Sequence, residues 1–197
     1  DRGDDRGIRE ATIVGEGIGL AMRGFRPIAE IQYLDYLMFA LQTLSDDLAT
    51  VSYRSVGKQL APLIVRTRGH RLEGMWHAGS PMGMILNSLK GMLVLTPRNM
   101  VQASGMYNTL MSCTDPALII EPLNAYRLKE KEPLNLGEFT VPLGKIEIIN
   151  PGTDITVVSY GSTLKLVEKT IPELERNNIN IELIAVSYTH LRAHETP

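Results

Sequence analysis

Apolar positions along this 197-residue chain fall into two alternating patterns. Short apolar runs at Pro27–Gln32, Leu63–Arg66 ("LIVR"), Met92–Pro97 ("MLVLTP") and Ala117–Pro122 ("ALIIEP") have strand length. Nearly unbroken apolar runs of this kind suit strands buried on both faces. Between them lie segments of helical character. The first is a bare, small-residue helix behind Glu10 that closes at Gly24. Next come a helix capped by Asp35 and running through Val51, and one from Asn99 to Met111. Strands that alternate with helices need crossover connections. The pattern therefore predicts an α/β fold: a three-layer parallel sheet with helices on both faces.

A second unit follows. Leu123 to Leu136 is polar and punctuated by proline, which marks a connection, and "GKIEIINPG" is expected to close the first domain. The strand "DITVVSYG" then leads into a helix from Ser162 to Arg176, and "NIELIAV" follows as the next strand. Leu164, Val167, Ile171 and Leu174 share one face of that helix, and Pro172 is expected to kink it. One strand–helix–strand unit cannot cover both faces of its own sheet, so this is expected to be the start of a truncated second α/β domain. The expected division is 1–150, 151–186, and a tail at 187–197. "SYTHLRAHETP" has neither a strand nor a helix period and is expected to be non-native. The opening "DRGDDRG" has no initiator Met and no apolar core of a signal peptide, so it reads as a cut edge of a fragment.

Composition narrows the function classes. Hydrophobic residues make up 44% and charged residues 21%, ordinary for a globular protein. A net charge of −2 argues against nucleic acid or a polybasic membrane surface as partner. Cys113 is the single cysteine, which excludes an internal disulfide and fits a reducing compartment, cytoplasm or mitochondrial matrix. No apolar run approaches the length of about 20 residues that a membrane span needs.

Several residues are candidates for chemistry, each with a plain alternative. "GEGIGLA" offers Gly15 and Gly17 of a dinucleotide fingerprint, but Leu20 stands at the sixth position where glycine or alanine is required. Close helix packing explains these glycines better, each at a cost of roughly 1 kcal/mol in helix propensity. Glu10 alone reads as a first-turn glutamate complementing the helix dipole. His77, in "LEGMWHAGSPMG", lies in a long glycine-rich loop between two strands, where functional residues gather. A lone histidine is more often structural, and His70 carries that reading more strongly. Arg66, Arg68 and Arg71 could bind a carboxylate or phosphate but read better as a solvated basic loop, and Tyr36 reads as a core aromatic.

In order and spacing, these segments resemble a known family. "IREATIVGEGIGLAMRGFRPIAEIQYLDY", "PLIVR", "DPALIIEPLNAY", "VPLGK" and "GTDITVVSYG" are similar to the beta subunit of thiamine-diphosphate-dependent 2-oxo acid dehydrogenases. The pyruvate and branched-chain 2-oxoisovalerate enzymes belong to that family, and the likeness runs from about Arg6 to Val186. It implies a transketolase-like pyrimidine-binding domain and oxidative decarboxylation with acyl transfer to lipoyl-lysine. It implies that Glu10 hydrogen-bonds a ring nitrogen of the cofactor's aminopyrimidine, that Tyr36 stacks on that ring, and that His77 faces the substrate. It also implies a structural potassium ion on carbonyls of Leu63, Leu110, Met111 and Cys113, with Asp115. An alpha-type portion would hold magnesium and the diphosphate through a glycine-aspartate-glycine motif absent from this sequence. The expected partners are that portion in an α2β2-like assembly and a lipoyl-bearing acyltransferase. Trp76 and Ala78 depart from the family's glutamine and serine, which leaves the 2-oxo acid open. "RTRGHRLEG" with "WHAGSPMG" resembles forms whose alpha and beta portions are fused. The alternatives are a transketolase or deoxyxylulose-phosphate synthase, a nicotinamide-binding module, or a non-catalytic interaction domain.

Overall fold

The computed structural model describes residues 7–190. Helix α1, Glu10–Met22, leads through a five-residue bend (23–27) into strand β1, Ile28–Ile31. Strands β2 (Ile64–Gly69), β3 (Leu93–Leu95) and β4 (Ala117–Pro122) lie parallel to it in the order β1–β2–β4–β3. Alternation along the strands builds two cores. Val65, Leu118 and Ile120 point to one face, where Val14, Leu34, Leu37, Leu44, Leu48 and Ile85 bury them. Ile64, Leu95 and Ile119 point to the other, beneath Met106 and Leu110 of helix α4, Met100–Ser112. The expected parallel sheet with helices on both faces is therefore present.

Local signals explain most of the boundaries. The Asn99 side chain accepts from the Gln102 amide at 2.7 Å and starts α4 where the sequence placed it. Helix α1 ends on bonds from the Gly24 amide to Ala21 O and from Phe25 to Leu20 O. The small-residue face of α1 is only partly used for packing. A side chain at Gly17 would stand 2.8 Å from Leu63 Cδ1, so glycine lets the helix sit on the strands there. Gly15 and Gly19 have nothing within 4 Å and face outward.

Two expectations change. No single helix runs from Asp35 to Val51. A 3₁₀ helix at Leu34–Ala40, a π turn at Thr43–Leu48 and the short α2, Val51–Arg54, replace it. Asp35 does not cap it, because its carboxylate is drawn to His77. The loop beyond His77 also contains a helix, α3, Met82–Ser88.

The second unit is a three-stranded sheet of β5 (Glu147–Asn150), β6 (Ile155–Ser159) and β7 (Ile181–Ala185), in the order β5–β7–β6. Strand β5, expected to close the first domain, pairs antiparallel with β7 instead, and Asn150 Nδ2 donates to Ile181 O at 2.7 Å. Helix α5, Gly161–Arg176, buries Leu164 against Leu183 and Ala185 and carries Pro172 within its length. On the opposite face Ile148 and Val158 stay exposed beside Ile184. Tyr188–His190, where no strand was expected, forms β8, which pairs antiparallel along the free edge of β3. Residues 191–197 of the expected tail lie outside the described residues.

Candidate active site

In an open parallel sheet, functional groups collect beyond the carboxyl ends of the strands. Here β1 runs into Tyr33, Asp35 and Tyr36, and β2 runs into His70 and the loop that holds His77. The structure brings these two segments together across a sequence separation of 42. His77 Nδ1 lies 3.2 Å from Asp35 Oδ2. A carboxylate only accepts, so Nδ1 donates, and in the neutral ring Nε2 then keeps its lone pair. The imidazole stacks on Tyr33, with centroids 3.6 Å apart and planes 8° apart, and meets Tyr36 edge-on at 5.5 Å. A side chain at Gly79 would collide with Asp35 Oδ1, so glycine lets the loop close down here.

The His77 backbone is left-handed, with φ 58°. For an L-residue this costs roughly 1–2 kcal/mol. Such a conformation persists where the surroundings over-determine it, and here they are the Tyr33 stack and the Asp35 bond. Arg68 backs the cluster from below. Its guanidinium carbon sits 4.7 Å from the Tyr33 ring centre, and its Nε donates to Gln32 O at 3.0 Å. The predicted pair Tyr36 and His77 is thus in contact, whereas Asp35 and Tyr33 were not foreseen as its supports.

Glu10 reaches the same end of the sheet. Helix α1 runs back against β1, with Gly17 beside Ala29. The seven residues from Gly17 to Glu10 span roughly 10 Å of helix, about the rise of three strand residues. That carries Glu10 from the level of Ala29 to the level of Gln32, next to the 3₁₀ helix on which α1 packs. It is half-buried and makes no hydrogen bond among the described residues. A helix also precedes β1, so Gly15 and Gly17 lie inside α1 and not in a strand-to-helix turn. This removes the dinucleotide fingerprint.

Beside this cluster lies a second one. Arg66 is in β2, not in a basic loop, and it bonds Glu30 at 2.9 Å and Glu121 at 2.6 Å. Tyr107 donates to the other Glu121 oxygen at 2.6 Å, and Tyr126 also donates to this carboxylate. Burial alone would raise the Glu121 pKa, but bonds from Arg66, Tyr107 and Tyr126 outweigh it and hold the carboxyl below its ordinary range. Burial and the bond to Glu121 push the Tyr126 phenol up to about 12. This network forms the polar floor of a cavity of about 760 Å³ under Met100 and Leu128.

The carbonyl candidates gather at the other end of the sheet. Leu63 precedes β2, Leu110 and Met111 close α4, and Cys113 and Asp115 precede β4, whose Ala117 pairs with Ile64. Three of these carbonyls already accept from protein: Leu63 O from the Ala117 amide, Leu110 O from the Cys113 amide and Cys113 O from Arg26. Converging carbonyls at a helix C-terminus suit a cation, and Arg26 already brings one to them. Among the described residues, no group of His, Cys, Asp and Glu side chains has a metal-holding arrangement. Also among the described residues, no helix is long and apolar enough to cross a membrane.

Comparison with known proteins gives a consistent result. Residues 2–129 match the family model "Transketolase, pyrimidine binding domain", and residues 144–191 match "Transketolase, C-terminal domain". The chain is 32% identical to the pyruvate dehydrogenase E1 component subunit beta of Acholeplasma laidlawii, over 91% of this chain and 55% of that protein. It is 30% identical to the 2-oxoisovalerate dehydrogenase subunit beta of Bacillus subtilis, with the same coverage. It is 34% identical to the mitochondrial counterpart of Chaetomium thermophilum, over 93% of this chain and 40% of that protein. The chain thus spans about half the length of the curated relatives it matches. Its fold is similar to that of a split-gene transketolase described as an inactive beta4 tetramer, with TM-score 0.73, 15% identity and 93% of this chain covered (56% of that one).

Proposed function

Because the chain belongs to the family of the transketolase pyrimidine-binding domain, we propose that it is the beta-type portion of a thiamine-diphosphate-dependent 2-oxo acid dehydrogenase. What supports this is the contact of Tyr36 with the Asp35–His77 pair beyond the carboxyl ends of β1 and β2, the end towards which α1 carries Glu10. The donor set fits the pyrimidine half of the cofactor: a carboxylate with no partner among the described residues and an aromatic ring at the same end of the sheet. Bound thiamine diphosphate supplies the carbon nucleophile that adds to a 2-oxo acid. Glu10 shares a proton with a ring nitrogen of the aminopyrimidine, a task that needs a group able to give and take it back. Tyr36 offers its ring to the pyrimidine. His77, oriented by Asp35, presents Nε2 to the substrate side, where it holds or moves a proton during decarboxylation or acyl transfer to a lipoyl group.

The remaining parts of this reading are the diphosphate with its magnesium on an alpha-type portion, and self-association into an α2β2-like assembly. A lipoyl-bearing acyltransferase is the acceptor. A potassium ion on the carbonyls of Leu63, Leu110, Met111 and Cys113, with Asp115, would share that end of the sheet with Arg26. The pyrimidine-binding unit ends before β5, whose pairing with β7 gives residues 147–150 to the second unit, and the compartment is the cytoplasm or mitochondrial matrix. Calorimetry tests the proposal. The chain alone is expected to show no tight cofactor binding, and the chain with its alpha-type portion is expected to bind thiamine diphosphate when magnesium is present. Micromolar, magnesium-dependent binding by the chain alone would contradict it.

A further inference from the structure

His70 has no part in the site just described, yet it is one of the most constrained polar residues in the molecule. It is 7% exposed and left-handed, with φ 51°. It stands where β2 meets the loop that carries His77 and ends at Ser80. Nδ1 lies 2.9 Å from Ser80 Oγ, so the imidazole ties the two ends of that loop together. Its other contacts come from the second unit. The Tyr160 ring stacks on it at 4.8 Å and 14°, and Ser162 Oγ donates to the His70 carbonyl at 2.8 Å. Gly161 fits against the ring only because it lacks a side chain. A Cβ there would come within 2.8 Å of His70 Nε2 and would also meet Thr96. Nε2 is buried without a hydrogen-bond partner among the described residues. None of Ser80, Thr96, Tyr160, Gly161 and Ser162 carries a carboxylate or an ammonium group, so this slot accepts a neutral ring.

Between its two anchors the loop exposes Met75 and Trp76, at 85% and 74%, and then turns through the strained backbone of His77. Few apolar contacts hold that stretch. Asn124 holds its first part, accepting from the Leu72 amide at 3.1 Å and donating to Glu73 at 3.1 Å, and His77 follows only three residues before the Ser80 that bonds His70. We propose that His70 is a positioning residue for His77: it transmits the placement of Tyr160–Ser162, at the start of α5, through Ser80 to the imidazole that Asp35 orients. This rests on the proposed function only for the chemical role of His77. The mechanical coupling stands on the contacts alone.

Nitrogen-15 NMR of histidine side chains in the folded chain tests the coupling without cofactor or turnover. Asp35→Asn defines the His77 signals of an uncoupled ring. Ser80→Ala, His70→Asn and Tyr160→Leu are each expected to shift the His77 tautomer signals part of the way towards that reference. Tyr160→Phe, which keeps the stacked ring, is expected to restore them. Should His70→Asn or Tyr160→Leu fail to fold, Ser80→Ala, which deletes one hydroxyl, decides. Unchanged His77 signals in the folded Ser80→Ala chain would overturn the proposal. In the complete enzyme the same variants should lower kcat and leave KM in place, with Tyr160→Phe again restoring the rate. If NMR shows the coupling while the complete enzyme shows no turnover of any 2-oxo acid, the functional reading fails and the positioning role stands.

Discussion

Two polar clusters share the carboxyl half of the larger sheet and differ in how fully their bonding capacity is used. Around Glu121 both carboxylate oxygens are engaged, one by Tyr107 and the other by Arg66 and Tyr126, and Arg66 reaches on to Glu30. Around His77 only Nδ1 is engaged, and Glu10 makes no hydrogen bond among the described residues. The first cluster is closed, with every strong group answered from within. The second holds its ring by stacking and one bond, and leaves an acceptor nitrogen and a carboxylate for something else. Closure gives stability, and incomplete satisfaction on a rigid frame gives reactivity.

The largest effect expected from this contrast falls on activity in the open cluster. His77→Ala in the complete enzyme should lower turnover by about 10²–10⁴-fold, the usual range for a positioned acid–base group. The melting temperature should barely change, because the ring is partly exposed and its left-handed backbone is strained. Steady-state rates beside a thermal melt check both halves. A large loss of stability would move His77 into the structural class.

Next comes stability in the closed cluster. Glu121→Gln should cost about 2–3 kcal/mol, since hydrogen bonds to charged groups are worth about 1.5–3 kcal/mol each and the Arg66 charge is left under-compensated. Its side chain is 16% exposed, which keeps the loss below that of a fully buried pair. Urea denaturation measures it. Turnover per folded molecule should stay near wild type, and a catalytic collapse without unfolding would break the contrast.

The smallest effect is a pH signature. The folded Tyr126 phenol titrates at about 12, above the ordinary 10 or so of an unfolded chain. Its contribution is complete below pH ~10 and is lost as the pH rises towards 12. The folded Glu121 carboxyl is held low, so its contribution is complete above the unfolded pKa of about 4.3 and is lost as the pH falls through the folded value. Spectrophotometric titration should find Tyr126 ionising last among exposed tyrosines, and Glu121→Gln should bring it down.

Much of the frame was legible in the sequence. The four parallel strands, the helix that begins at Asn99 and the amphipathic face of α5 follow from periods that neighbouring residues carry themselves. Asp35 misled for a physical reason. A short polar residue before an apolar segment reads as an N-cap, and nothing local reports that His77, 42 positions on, will claim its carboxylate. The closed network was illegible for the same reason, because Arg66 and Glu121 meet only once β2 and β4 pair. Of the small-residue helix, the sequence suggested close packing, but among Gly15, Gly17 and Gly19 only Gly17 faces the strands, with Ala21 buried on the same side. The inward face is the one that carries Val14 and Ile18, which leaves Gly15 and Gly19 on the outer side. Glu10 needed the family resemblance, since a first-turn glutamate has an ordinary explanation of its own.

The central claim is that Glu10 and His77 are separate parts of one site, the first acting on the cofactor and the second on the substrate. Hydrogen–deuterium exchange at the thiazolium carbon, followed by NMR in the complete enzyme with thiamine diphosphate and magnesium, tests it most directly. Glu10→Gln should slow that exchange by about 10²–10⁴-fold, and His77→Ala should leave it near the wild-type rate while turnover falls. Exchange that is unchanged in Glu10→Gln, or slowed as much in His77→Ala, would contradict the account.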